Sequence, residues 1–389
     1  MTRKVPNTKR FGCVFLASAF LIASSCVSAA PPPAVTCNNS ALDAYDELLI
    51  VAPHPDDEIL GFAGLSLDFR SKNKPVSVVV VSIGDGYCDA CSFWKNVGSV
   101  PSMTQWAQCT ESDLAAFAAV RKDETRSAQQ ILGGKPPTFW EYPDTGSAVA
   151  WAAVKSGVGM DTSMKRSDCT KEGVFGTGSK IGLSPRTMYA QLSELIAKAS
   201  PRTLIATTHP LDGHMDHIGL GNMIRRVNAE LAASKNPTTR PKSVVFTVIH
   251  ANSTPAGVHD ADAWYPYPAA VDGACFDQSK QARYLEDPIL LSTMRNHRYQ
   301  PEWSHPLPED APYLAAIPNG KAVAFCLPPA VYQGKKASKL LAVGKFISQQ
   351  GFLARTGAIP HGMAGLVDCN GYQMGFIRAN EMFVLEAQD

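Results

Sequence analysis

The stretch Val76–Ile83, bounded by Pro75 and Gly84, constrains the fold more than any other part of this chain. It is β-branched and apolar at nearly every position, so it has no face to offer water and has to be a strand covered on both sides, as in a parallel sheet. Upstream, Leu48–Ala52 is a second apolar run ending at Pro53, and Glu58–Lys72 between the two has the length and period of a helix. Strand, helix and strand in that order form a βαβ unit. The pattern continues with a helix over Ser112–Leu132, Ser112 being the candidate cap and Gly133-Gly134 the stop. Thr138–Tyr142 reads as a strand, Arg186–Ala199 as an amphipathic helix, and Thr203–Thr208 and Val244–His250 as further strands. Ser147–Leu183 is Gly-rich and patternless, and Ala251–Pro329, rich in Pro, Tyr and Asp, reads as loops or added strands over one side of the molecule. The expected fold is α/β: a doubly wound, mostly parallel, Rossmann-like sheet with helices on both faces and long loop insertions.

The first residues stand apart from that pattern. Arg3, Lys4, Lys9 and Arg10 make a basic start, and Phe11–Ser25 is an apolar run too short to span a bilayer. Residues 1–29 are therefore expected to be a secretory signal peptide, cut after Ala29, with a linker or N-terminal extension over 30–46 and one elaborated domain over 47–389. A rival cut ends at Cys26, whose thiol would then carry a lipid anchor; the ordinary cut is preferred because the residue three before Cys26 is Ala rather than a larger aliphatic. The protein is thus expected to be exported, periplasmic or secreted. The whole chain carries 36 Lys and Arg against 35 Asp and Glu. Losing four basic and no acidic residues with the signal leaves 32 against 35, so there is no positive surplus to hold a polyanion, and nucleic acid is not an expected partner.

Cys37, Cys88, Cys91, Cys109, Cys169, Cys275, Cys326 and Cys369 remain after the signal. An even count in an exported chain predicts disulfides, whose pairing the sequence leaves open. Cys88-Asp89-Ala90-Cys91 has the spacing of a redox or zinc pair, but it has no second CxxC and lies in a loop, which favours a structural disulfide role.

Two clusters carry the chemistry. His54-Pro55-Asp56-Asp57-Glu58 packs one imidazole and three carboxyls directly after the first strand, and His209-Pro210-Leu211-Asp212-Gly213-His214-Met215-Asp216-His217 follows the Thr203–Thr208 strand. Acidic residues in a helix's first turn complement its dipole without further function, and a His beside an Asp is often only a solvated pair. Two such clusters, each at a strand's carboxyl end where open α/β sheets bind ligands, are harder to explain that way. Together they offer imidazoles and carboxylates suited to Zn²⁺, whose catalytic sites take three protein ligands and keep a position for water.

A strand followed by His-Pro-Asp-Asp-Glu, with a distant His-x-Asp-His, resembles the PIG-L and LmbE group of zinc-dependent de-N-acetylases. Arg121-Lys122-Asp123-Glu124 with Ile131-Leu132-Gly133 is similar to that family's Arg-x-x-Glu helix, Tyr142-Pro143-Asp144-Thr145-Gly146 to its Asp-containing turn, and Lys339 with Ser348-Gln349 to a Lys and Ser-Gln helix. The resemblance implies one zinc per chain held by His54, Asp57 and His217. It implies Asp56 as general base, His214 as the group that stabilises the oxyanion and, protonated, serves the leaving amine, and Asp216 as the residue that orients His214. It implies substrate contacts from Arg121 and Asp144, although a helix-surface ion pair would account for Arg121 equally well. Adjacent Asp56 and Asp57 cannot easily bind one ion from a single turn, which leaves one of them to take a proton.

The implied activity is removal of an N-acyl group, foremost acetyl, from an amino-sugar or glycan. The rivals are a metal-dependent esterase or lactonase on the same site, a carbohydrate-binding protein without turnover, and a thiol oxidoreductase at Cys88 and Cys91. Glu58 is expected to satisfy backbone donors or support a ligand residue rather than bind the metal, and His209 to support a ligand residue or be structural. His250, His259, His297, His305 and His361 have no motif support. Trp264-Tyr265-Pro266-Tyr267 departs from compact family members and is expected to shape the substrate cleft.

Overall fold

Strands this apolar assemble only where both faces are covered, and the sheet is built accordingly. The computed structural model describes residues 37–86, 91, 94–95, 109–166, 169, 182–212, 214–234, 240–249, 316–332, 336, 338–346, 348 and 380–388. The segment read as a signal, Trp264–Tyr267, Cys88, Cys275, Cys369 and the five histidines without motif support lie outside these residues. The strands are β1 (Glu47–Ala52), β2 (Val76–Ser82), β3 (Thr138–Tyr142), β4 (Thr203–Thr208), β5 (Val244–Thr247), β6 (Lys321–Cys326) and β7 (Asn380–Glu386). They form one sheet in the order β3-β2-β1-β4-β5-β7-β6. The first five run parallel, and β7 pairs antiparallel with both β5 and β6.

The helices are α1 (Asp57–Ser71), α2 (Glu111–Ile131), α3 (Gly146–Ser156), α4 (Pro185–Lys198), α5 (Met215–Ala233), α6 (Pro329–Tyr332) and α7 (Ser338–Val343). Alternation along β1 divides the core. Leu48, Ile50 and Ala52 pack with Phe62, Leu65 and Phe69 of α1 and Ala342 and Val343 of α7, whereas Leu49 and Val51 face Met188 and Leu192 of α4 and Leu220 and Ile224 of α5. The chain runs outward from β1 to β2 and β3, then returns to β4 on the other side of β1, so the strand order reverses between β1 and β4. In a doubly wound sheet that crevice is where ligands bind. Among the described residues, no helix is long and apolar enough to cross a membrane.

The expected strands and helices are present, with five differences. α2 is capped by Thr110 rather than Ser112: Thr110 Oγ1 accepts from Asp113 N and Asp113 Oδ2 accepts from Thr110 N, a reciprocal box. β5 ends at Thr247, short of His250. The patternless Ser147–Leu183 stretch contains α3 at its start. α5 begins inside the second His and Asp cluster. β6 and β7 form an antiparallel edge.

Disulfides join Cys37 to Cys326 and Cys91 to Cys109, and Cys169 is also disulfide-bonded. Cys91 is therefore paired with Cys109 and not with Cys88, which removes the CxxC dithiol that a thiol oxidoreductase needs. Cys37–Cys326 fastens the N-terminal segment to edge strand β6 across 289 residues of chain. Cys326→Ser is expected to lower unfolding stability by about 2–4 kcal/mol, the usual range for a lost disulfide. Urea unfolding of the oxidised chain measures this; an unchanged midpoint would show that the bond contributes nothing, and in reductant the difference should vanish.

Candidate metal centre

Each strand that ends near the β1/β4 crevice contributes to one cluster. β1 leads into His54, Asp56 and Asp57, β2 into Gly84 and Asp85, β3 into Asp144, and β4 into Asp212, His214, Asp216 and His217. Its heart is a triangle of three acceptor atoms. His54 Nδ1 lies 3.1 Å from Asp57 Oδ2 and 3.2 Å from His217 Nε2, and His217 Nε2 lies 3.1 Å from Asp57 Oδ2. Two imidazole lone pairs and a carboxylate oxygen repel one another at that separation unless a proton or a cation sits among them. Ligand atoms bonded at ~2.0–2.1 Å to one tetrahedral zinc are about 3.3 Å apart, so this donor set fits that ion.

The opposite nitrogen of each ring faces carboxylates. His54 Nε2 is 3.0 Å from Asp144 Oδ1 and 3.1 Å from Asp216 Oδ2, and His217 Nδ1 is 3.2 Å from Asp212 Oδ1. A carboxylate there fixes the N–H on the far side and leaves the inner nitrogen free to bind a metal. His54 with His214 and His217, and His54 with Asp144 and Asp216, are further groups whose ligand atoms lie within 4.8 Å of one another. In the His54–Asp57–His217 triangle all three edges are 3.1–3.2 Å, and it leaves Asp144 and Asp216 to their backbone donors. Asp144 accepts from Gly86 N and Thr145 N, and Asp216 accepts from Thr145 N at 2.6 Å and Ala148 N at 2.8 Å.

The contacts of the other expected site residues are also defined. The carboxylate of Asp216 engages His54 and the start of α3, and it is the Asp216 backbone N–H that donates to His214 Nδ1, at 3.3 Å. That donation makes Nδ1 an acceptor, so the His214 proton resides on Nε2 and the ring is neutral. Burial, then the positive rings of His54 and His217, push the His214 pKa down to about 4. In this metal-free arrangement the His214 ring is a neutral N–H donor. Arg121 and Asp144, read as substrate contacts, are 4% and 8% exposed. Arg121 Nη1 donates to Gly84 O and Nη2 to Pro55 O, and its Nη2 lies 3.5 Å from Asp56 Oδ2.

Two carboxylates assigned no role from sequence belong to the cluster. Asp212 accepts from Ile249 N and His214 N besides facing His217. Asp85, fully buried, accepts from Asp144 N, and burial first, with the nearby Asp144 charge, pushes its pKa up to about 6. The signals were present: Asp212 lies inside the second cluster, and Asp85 stands between two glycines at a strand end. Glu58 accepts from Asp56 N, as expected of it, with burial raising its pKa to about 8. His209 is structural, accepting from Leu211 N and packing edge-on against Phe246.

Residues 49–228 match the family model described as PIG-L: GlcNAc-PI de-N-acetylase. That span contains every residue of the cluster. That segment of the chain is similar to the PIG-L family. A curated relative, the probable N-acetyl-alpha-D-glucosaminyl L-malate deacetylase 2 of Bacillus anthracis, is 30% identical over 97 residues, which are 25% of this chain and 36% of the relative. The chain thus spans about a third of that relative's length. Among solved structures, a deacetylase–teicoplanin complex from the teicoplanin biosynthesis pathway is 14% identical with a TM-score of 0.41, covering 88% of this chain and 99% of that one. The N,N'-diacetylchitobiose deacetylase of Pyrococcus horikoshii is 14% identical with a TM-score of 0.33, over 67% and 73%.

Without a metal, burial opposes the charged forms of His54 and His217, but the carboxylates around them prevail. Asp144, Asp216 and Asp57 raise His54 well above its ordinary value, and Asp57 and Asp212 raise His217 to about 9. A metal must displace those protons, so affinity should rise with pH up to about 9, by about tenfold per pH unit for each proton released. Competition titration of the metal-free chain with zinc at several pH values tests this, and an affinity independent of pH below that point would contradict the ligand set. Imidazole NMR of the same sample should place His217 near 9 and His214 near 4.

Proposed function

We propose that this chain is an exported, zinc-dependent hydrolase that removes an N-acyl group, foremost acetyl, from an amino-sugar or glycan. The observation that carries the proposal is the triangle of His54 Nδ1, Asp57 Oδ2 and His217 Nε2, with a second buried carboxylate, Asp56, adjacent to Asp57 in sequence. The similarity to the PIG-L family and the deacetylase relative support the same reading. The basic and apolar N-terminus and the disulfides support export, which favours envelope or extracellular glycans over intracellular sugars.

His54, Asp57 and His217 would hold the zinc, which supplies Lewis acidity towards the acyl carbonyl and lowers the pKa of a bound water. The remaining work belongs to the protein. Asp56 takes the proton of the attacking water on its carboxylate. His214, neutral with its proton on Nε2, donates a hydrogen bond to the carbonyl oxygen as that oxygen gains charge. The proton held by Asp56 is then the one available to the departing nitrogen, so the amine leaves uncharged. Asp144, Asp212 and Asp216 keep the two ligand imidazoles in the required tautomers.

Acetate release from a panel of N-acetylated sugars, with and without a chelator and after zinc is restored, tests the reading. Turnover of the matching O-acetyl esters or lactones but not the amides would favour the esterase alternative; saturable sugar binding without release would favour the binding protein. Asp57→Asn is expected to weaken metal binding, because it removes a charged ligand. Asp56→Asn should keep the metal and lose roughly 10²-fold or more in turnover, as for a positioned base. Metal analysis beside kinetics separates the two, and the opposite pattern would exchange their roles.

A further inference from the structure

We propose that Arg121 is a positioning residue for Asp56, locking its carboxylate where it can act on water, and not a substrate contact; the inference rests on the reading of Asp56 as the general base. Three observations support it. Asp56 has φ 129° and ψ −32°, a backbone region that side-chain-bearing residues avoid, so its conformation has to be imposed by neighbours. Two groups impose it. Glu58 Oε2 accepts from Asp56 N at 3.0 Å, and Arg121 Nη2 donates at 2.7 Å to the carbonyl of Pro55, the residue immediately before it.

The guanidinium forks across two strand ends. Nη1 donates at 3.0 Å to Gly84 O after β2, while Nη2 serves the loop after β1 and lies 3.5 Å from Asp56 Oδ2. Gly84 makes the approach possible: its φ is +65°, and a Cβ there would lie 2.2 Å from Arg121 Nη1. Both Arg121 and Asp56 are 4% exposed, so the carboxylate has lost water on most sides and the guanidinium is the cation beside it. One turn further along α2, Glu124 accepts from both the backbone N and the hydroxyl of Ser348, which ties the helix that carries Arg121 to the C-terminal part of the chain. A guanidinium fixed this way presents no free fork to a ligand, and a lysine, with one nitrogen, cannot span both carbonyls.

The test uses the full exported chain with Arg121→Met, Arg121→Lys and Gly84→Ala, the last displacing the guanidinium without removing it. All three are expected to keep one zinc per chain and to hold KM within about threefold, while kcat falls by roughly 10²-fold in Arg121→Met and Gly84→Ala and by less in Arg121→Lys. Arg121→Lys carries the test if the other two fail to fold. Hydrogen exchange should speed up in the 54–58 segment and stay unchanged over the rest of α1, a readout that stands even if the wild-type chain releases no acetate. Loss of acetate release in the wild type would therefore overturn the de-N-acylase reading alone. A raised KM with kcat intact, loss of the zinc, or unaltered exchange at 54–58 would each overturn the role given to Arg121.

Discussion

The structure is organised around the problem of burying many carboxylates in one place. Asp56, Asp57, Asp85, Asp144, Asp212 and Asp216 are all buried at the carboxyl ends of the central strands. Ionised groups removed from water need hydrogen-bond donors or cations in return. The fold delivers donors from elements remote in sequence. Asp216 takes two N–H groups from the start of α3, Asp212 takes Ile249 N from just past β5, and Asp144 takes Gly86 N from just past β2. Each of these three acids thus draws donors from beyond a different strand, so the cluster depends on the ends of β2, β3, β4 and β5 coming together. At the triangle two imidazole nitrogens meet the Asp57 oxygen that also accepts from His54 N, and that is where a cation fits.

The carboxylates also decide which nitrogen of each histidine is offered. His54 turns Nδ1 inward because Asp144 and Asp216 face Nε2; His217 turns Nε2 inward because Asp212 faces Nδ1. The ligand set is therefore asymmetric, and the asymmetry comes from neighbours and not from the ligands. His214 follows the same logic with the opposite result. A backbone N–H occupies its Nδ1, and its ring stands nearly perpendicular to His54 at 4.6 Å, so extra positive charge is unwelcome and the proton left on Nε2 is a hydrogen-bond donor.

Much of this was legible in the sequence, because the signals were local. Val76–Ser82 is apolar enough to require a parallel sheet, and the two His and Asp clusters follow strands directly. What could not be read was set by contacts across the chain. Thr145, before α3, sits at φ 68° with no side-chain bond to the helix, and besides Asp144 the acceptor for the first N–H groups is Asp216, 68 to 71 residues away. A Gly-rich stretch without period or cap reads as a loop, yet it folds as a helix once α5 supplies the acceptor. The pairing of Cys91 with Cys109 over Cys88, and the antiparallel edge of β6 and β7, are likewise properties of the assembled fold. The two carbonyls that engage Arg121 are hidden in the same way: its charge is visible in the sequence, but its partners are not.

Asp216 shows why a residue's role in such a cluster cannot be inferred from its position in a motif alone. Its place beside His214 suggests that it orients that ring, and its backbone does so through the N–H donated to Nδ1. Its carboxylate does something else, accepting from Thr145 and Ala148 to start α3 and facing Nε2 of His54 to set that ring's tautomer. The close approach of α3 and α5 that makes this possible depends on Gly219, where a Cβ would lie 2.4 Å from Ser147 O. One carboxylate therefore links the helix that covers one face of the sheet to the outer nitrogen, Nε2, of a proposed metal ligand just past β1. The start of α3 and the poise of His54 are then coupled, because Asp216 is an acceptor for both and reaches them only when α3 and α5 meet.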